Sequence, residues 1–251
     1  GSQGDAPPDR GPQGCGMRLR ILATSDLHMH LLPYDYLAGR PSDHMGLART
    51  ASLILEKRAE VPACLLLDNG DFLQGGPMGE VVARRSCTGH DHPAIAAMNA
   101  LAYDAAALGN HDFNFGLTFL RRSVARARFP VLAANLSMRQ GKGFAPYALL
   151  QRQLTDAEGR VHPLRIGVVG FLPPQTEEWD NDLRPVMRSS DIIDSARQVV
   201  PRLKALGADV IIALAHSGIG PAEARPRMEH AATALAALPG IDAIRDPYLQ
   251  A

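Results

Sequence analysis

The sequence predicts a layered α/β fold in which central, largely parallel β-sheets are flanked by helices, and three observations carry that prediction. Short apolar runs such as Cys64–Leu67 and Val210–Leu214 are bounded by small or polar residues, as strands buried on both faces are. Segments of helical periodicity alternate with these runs along most of the chain. The runs in RILATSDLH, LLLDNGD, AAALGNHD and VIIALAHSG also pass at once into turn residues beside an Asp or a His. Parallel α/β sheets carry their chemistry outside the carboxyl ends of their strands, so polar side chains arriving there in series mark one edge as the functional one.

In order, residues 1–16 (GSQGDAPPDRGPQGCG) have almost nothing to bury and are expected to form a disordered tail before a domain spanning 17–251. Leu19, Ile21 and Ala23 belong to a buried first strand, which turns at Ser25 and Asp26. A loop-like stretch leads to residues 46–59, GLARTASLILEKRA, an amphipathic helix with Leu47, Thr50, Ala51, Ile54 and Leu55 on one face. It returns the chain to the strand that ends at Asp71, completing a right-handed βαβ unit. After Gly75, Gly76 and Pro77 comes an irregular, helical segment, then a helix over Pro93–Leu101 with proline in its first turn. A short strand ends at Asn110. GLTFLRRSVARARF is a basic amphipathic helix whose Arg121, Arg122, Arg126 and Arg128 form a solvated face, and PVLAANL is a further short strand. Tyr147–Phe171 reads as two strands around TDAEGR, a hairpin. A helix over 191–206 tolerates Pro201, Asp209–Ala215 is a buried strand, Ala222–Leu238 is a last helix, and GIDAI begins one more strand.

Composition narrows the function classes. The chain has 251 residues, 46% hydrophobic and 21% charged, enough for a large core. Lys plus Arg and Asp plus Glu both number 26, so no whole-chain field favours polymeric nucleic acid or an anionic membrane. No apolar run approaches the ~20 residues that span a bilayer. The first residues carry no apolar signal-peptide core, so an exported protein would have lost its leader. Cys15, Cys64 and Cys87 show no CxxC spacing, which argues against a disulfide framework or zinc knuckle, and Cys64 reads as core.

The strand ends carry the chemistry. Asp26 and His28 address one centre if the turn breaks the strand's alternation, and oxygen with imidazole suits Zn, Mn, Fe or Co better than Ca or Mg. Asp71 is a carboxylate at the end of a buried strand. Asn110 and His111 face a cleft from adjacent positions, and His216 closes the series. Singly each motif is weak, because a strand-end histidine is more often hydrogen-bonded structure than ligand. Their arrival in order, each at a strand exit, is what points to metal chemistry. His30, His44, His90 and His92 lie in loops and are expected to face solvent or to support ligands from behind. Asp68 either backs a ligand histidine or caps its turn, and Trp179 either stacks on a nucleobase or packs on the core.

Together SDLH, DNGDFLQGGP, LGNHDFNFGL, FPVLAAN, PPQ followed by a Trp, and LAHSG resemble the calcineurin-like metallophosphoesterases across residues 17–244. More narrowly, they look like the bacterial 2′,3′-cyclic-nucleotide 2′-phosphodiesterase/3′-nucleotidases of the 5′-nucleotidase superfamily. The resemblance implies two divalent metal ions of the Mn, Zn, Co or Fe type, one held by Asp26 and His28, the other by Asn110 and His216, with Asp71 bridging. It implies a metal-bridging hydroxide attacking the phosphorus of a nucleotide substrate, with His111 stabilising the transition state or protonating the leaving ribose oxygen. Asn114 orients His111 by hydrogen bonding. The 5′-nucleotidases usually have Asp there, so Asn114 favours the cyclic-phosphodiesterase/3′-nucleotidase branch. A periplasmic location follows from the same resemblance. The resemblance also leads one to expect a Gly-His-x-His loop after GIDAI, where this chain reads RDPYLQA, and His230 falls in a predicted helix. Without that loop and the family's C-terminal nucleotide-binding domain, the alternatives are a slow enzyme, a non-catalytic metal-binding domain, or 5′-nucleotidase specificity on the same scaffold.

Overall fold

The computed structural model describes residues 16–85 and 90–247. The expected tail up to Cys15, the Cys87 position and residues 248–251 lie outside the described residues. In chain order the elements are β1 (Arg20–Thr24), β2 (Tyr34–Asp35), β3 (Arg40–Pro41), α1 (Leu47–Ala59), β4 (Cys64–Asp68), α2 (Gly76–Arg84), α3 (Pro93–Ala100) and β5 (Ala105–Ala107). A 3₁₀ turn at Asn110–Phe113 precedes α4 (Leu117–Val124), β6 (Val131–Leu132), β7 (Leu136–Met138), β8 (Tyr147–Thr155) and β9 (Val161–Phe171). The remainder is α5 (Thr176–Trp179), β10 (Met187–Ser189), α6 (Ile192–Ala205), β11 (Val210–Ala215), α7 (Ala232–Ala236) and β12 (Ala243–Arg245).

Two four-stranded sheets stack in the middle. One has the order β1-β4-β5-β6, all parallel; the other, β12-β11-β9-β8, is parallel except for the β8–β9 hairpin. Strand alternation assigns each side chain to a layer. Leu65 and Leu67 of β4, with Ala105, Ala107 and Leu132, meet Ile166, Val168, Ile212 and Leu214 of the other sheet. Leu66 and Ala106 point the opposite way, into a core with α1, α3 and α4. Val169, Phe171, Ile211, Ala213 and Ala215 pack under α6 and α7. The central strands are therefore apolar on both faces, and truncating the fully buried Leu67 to Ala would cost about 2–5 kcal/mol. The layered α/β prediction holds.

Some sequence expectations differ from the fold. β1 is an edge strand, so Ile21 is 37% exposed and not part of a buried strand. On α1 the buried residues are Leu47 and Ile54, while Thr50 and Leu55 face solvent; the burial face is narrower than the apolar stripe. The expected Ala222–Leu238 helix shortens to Ala232–Ala236, because residues 221–231 form a loop tied down by tertiary hydrogen bonds described below. His230 is accordingly a loop residue. Pro201 does lie inside α6. Arg122, Arg126 and Arg128 are exposed as expected, with Arg126 ion-paired to Asp91 at 3.0 Å. Cys64 is half-buried, and burial raises its thiol pKa. No helix among the described residues is long and apolar enough to cross a membrane.

Candidate metal centre

The carboxyl ends of β1, β4, β5 and β11 open onto one cavity of about 320 Å³, whose lining includes Asp26, His28, Asp71, Asn110, His111 and His216. The turn after β1 does break the strand's alternation. Asp26, His28 and Met29 take left-handed φ values of 52°, 43° and 60°, and Asp71 takes 61°. Such conformations cost a non-glycine residue roughly 1–3 kcal/mol and persist where the surroundings enforce them. Here the backbone does so: Asp26 N–H donates to Gly70 O at 3.0 Å, and His28 N–H donates to Asp71 O at 2.9 Å. The two turns approach so closely that glycine is required. A Cβ on Gly70 would lie 2.5 Å from Gly109 N, and one on Gly109 would strike the Asp71 carboxylate.

Asp71 is buried at the middle of the group. Its Oδ1 accepts the His111 backbone N–H at 2.8 Å. Its Oδ2 lies 3.0 Å from His216 Nε2 and 3.8 Å from His28 Nε2. His28 Nε2 is also 3.6 Å from Asp26 Oδ1. Both imidazoles are oriented from behind by backbone carbonyls: His28 Nδ1–H donates to Gln74 O and His216 Nδ1–H to Asn69 O, each at 2.8 Å. That leaves each Nε2 directed at the carboxylates, the arrangement that metal-binding histidines use. Donor atoms of Asp26, Asp71 and His216 all lie within 4.8 Å of one another.

The electrostatics are those of a cation site. Interaction with the Asp26 carboxylate, which outweighs an opposing burial effect and is helped by Gln74 O and Asp71, raises the His28 pKa to about 9. Burial alone would lower the His216 pKa, but the Asp71 carboxylate overrides it and raises it to about 9. Burial also works against the charged form of Asp26, yet its pKa stays below the usual range because of His28 and Ser25. His111 lies across from His28, with ring centroids 5.7 Å apart, and the Asn114 side-chain amide faces its Nδ1 at 3.0 Å.

The supporting residues were less visible. Asp112 is buried, and its carboxylate accepts the N–H groups of Asp71, Phe72, Leu73 and Gly109, each at 2.9 Å. It sits inside the GNHD motif, so its sequence signal was position alone. Asp68 turns out to cap its own turn, accepting from Thr24 Oγ1 and Gly70 N–H; burial raises its pKa to about 7. Asn69 joins the sheets through Nδ2–H donating to Ala215 O at 3.0 Å. His30, His44 and His90 are exposed. His92 departs from that expectation: it is buried, and its Nδ1 caps α3 by accepting the Ala94 N–H. Trp179 is 52% exposed and lines the cavity, so it is not core.

This strand-end constellation agrees with a family match. The profile of the calcineurin-like phosphoesterases covers residues 19–244. The chain belongs to that family. Calcineurin-like phosphoesterases use divalent metals. The trifunctional nucleotide phosphoesterase YfkN of Bacillus subtilis is 42% identical over 236 residues, 91% of this chain and 16% of that protein. The crystal structure of YfkN superposes with a TM-score of 0.87, covering 71% of the crystallised chain. The 2′,3′-cyclic-nucleotide 2′-phosphodiesterase/3′-nucleotidase of Haemophilus influenzae is 39% identical over 90% of this chain and 35% of its own length. A snake venom 5′-nucleotidase from Naja atra is 31% identical over 80% of this chain. The chain thus spans about a third or less of the length of the two bacterial relatives.

Proposed function

We propose that this domain is a dinuclear-metal phosphoesterase acting on 2′,3′-cyclic nucleotides and 3′-nucleotides. The observation that carries the reading is the single Asp71 oxygen between two imidazole Nε2 atoms supplied by different sheets. The donor set fits divalent first-row cations: two oriented imidazoles, two carboxylates and the Asn110 amide at one cavity. Asp26 and His28 would hold one cation, Asn110 and His216 the other, and Asp71 both. When bound, the cations supply charge that stabilises phosphoryl oxygens and acidify water toward neutrality.

The protein's own groups supply orientation and a proton. Asp71 is held at Oδ1 by the His111 N–H, which leaves Oδ2 turned toward the His28 and His216 imidazoles. His111 delivers a proton to the departing ribose oxygen, the 2′ oxygen of a cyclic nucleotide or the 3′ oxygen of a 3′-nucleotide. Asn114 holds the His111 ring through Nδ1 without supplying negative charge. The 39% identity to the cyclic-nucleotide enzyme, against 31% to the venom 5′-nucleotidase, supports the same specificity. The accompanying proposal on location is periplasmic, open to test by cell fractionation.

The test is product analysis of the metal-loaded protein with 2′,3′-cyclic AMP, 3′-AMP and 5′-AMP. Turnover of the first two supports the proposal. Preferential turnover of 5′-AMP would replace the specificity with that of a 5′-nucleotidase, and no turnover by a protein carrying two metals would leave a metal-binding domain.

A further inference from the structure

His230 is an imidazole that the chemistry above leaves unused. It sits in the loop between β11 and α7 and lines the cavity shared by Asp26, His111 and His216. Its backbone is fixed on both sides by one hydroxyl, because Ser217 Oγ donates to Glu229 O and accepts the Ala231 N–H. The clamp continues with Ala232 N–H to Gly218 O at 3.1 Å and Thr233 N–H to Ile219 O at 2.9 Å. Upstream, Arg227 fastens the same loop to α5: its guanidinium donates to Pro174 O and to the Glu178 carboxylate, each at 2.6 Å.

The ring is given room as well as position. A Cβ on Gly218 would collide with His230 Nδ1, and one on Gly220 with the His230 carbonyl oxygen. Neither ring nitrogen hydrogen-bonds to another described residue. An imidazole pinned at both flanks, laid on glycine and left without a hydrogen-bond partner among the described residues beside the candidate metal centre is placed to serve a ligand.

We propose that His230 is a substrate-contacting residue that donates a hydrogen bond to a phosphoryl oxygen, with Ser217 and Gly218 positioning it. The inference rests on the phosphoesterase reading above. Because inorganic phosphate is the end product of that reaction, it is a suitable probe. It would be titrated calorimetrically into the metal-loaded protein, with metal content and thermal midpoint measured alongside. His230→Ala should weaken phosphate by about tenfold with metal content and midpoint retained, as loss of a hydrogen bond to a charged group does. His230→Gln should recover part of the loss. Gly218→Ala should reproduce it by displacing the ring, and the double variant should be no weaker than either single one.

Unchanged phosphate affinity in His230→Ala overturns the assignment. So does loss of metal in that variant, which would make His230 a ligand, and so do Gly218→Ala and His230→Ala losses that multiply. Wild-type protein that neither binds phosphate nor hydrolyses nucleotides would sink the phosphoesterase reading itself. Wild-type binding with an indifferent His230→Ala sinks this inference alone.

Discussion

Asp112 holds Asp71 from behind: its Oδ2 accepts the Asp71 N–H at 2.9 Å, while the Asp71 carboxylate accepts the N–H of His111, the residue before Asp112, at 2.8 Å. Two aspartates from strand exits about 40 positions apart thus lace their turns together in both directions. Burial and the Asp71 charge push the Asp112 pKa above the usual carboxylate range, against the four N–H groups that favour its ionised form.

Asp112→Asn should therefore be costly despite its small change in volume. One acceptor oxygen becomes an NH₂ group pointed at backbone N–H donors, leaving buried donors unmatched at about 1–3 kcal/mol each. Urea unfolding should show a loss of about 3 kcal/mol, together with weaker metal binding. A loss within a few tenths would mean that the turns are held by other contacts.

Asp71 and His111 should separate cleanly. Asp71→Asn is expected to lose at least one metal and to reduce hydrolysis more than change at any other single ligand, since it alone would serve both ions. His111→Ala should keep its metal and lose about 10²–10⁴ in rate. Metal analysis beside steady-state rates decides both, and metal loss in His111→Ala would make that residue a ligand.

Metal uptake should expel protons. In the metal-free protein the pKa values of His28 and His216 are raised to about 9, so both rings are charged near neutral pH and must become neutral to ligate. Apparent affinity should rise with pH until about 9 and fall in acid. Calorimetry at about pH 7.5 in buffers of different ionisation enthalpy should return close to two protons per filled centre. A value near zero would remove these imidazoles from the ligand set.

Acid should weaken the fold through His92. Burial lowers its pKa to about 4, against an ordinary value of 6.5. Between those values the unfolded chain binds a proton that the folded one refuses, so stability falls as pH drops through this window, by on the order of 3 kcal/mol. His92→Asn keeps a cap for α3 and removes the titration. Its thermal midpoint should change less than wild type from about pH 7 to 5; parallel profiles would assign the acid sensitivity elsewhere.

The strands and the site's strand-end residues were legible because buried parallel strands leave dense apolar runs, and the chemistry follows directly after them. Ile21 was misread because exposure depends on sheet order: the same pattern is buried in β4 and open at the β1 edge. Residues 222–231 misled through local propensity. Ala, Glu, Arg and Met favour helix, yet Arg227 adopts a φ of 53°, its carbonyl accepts from Gln175 Nε2, and Ser217 grips the segment. Asp112 was hidden for a different reason. Three of its four N–H partners come from about 40 residues away, and no side-chain pattern announces them.

The bond between Asn69 and Ala215 gives the centre a mechanical character. Asn69 Nδ2 donates to Ala215 O, and Asn69 O accepts from His216 Nδ1, across 146 and 147 residues of chain. These bonds join the sheets at the cavity itself. As the chain emerges from synthesis, Asp26, His28 and Asp71 can gather on the first sheet long before His216 exists, so on the dinuclear reading proposed above a first cation would find a partial seat early and a second would wait for β11 to dock. A cation held there would act as a latch on the alignment of the two sheets, and sliding one layer against the other would be felt first as a loosened ion.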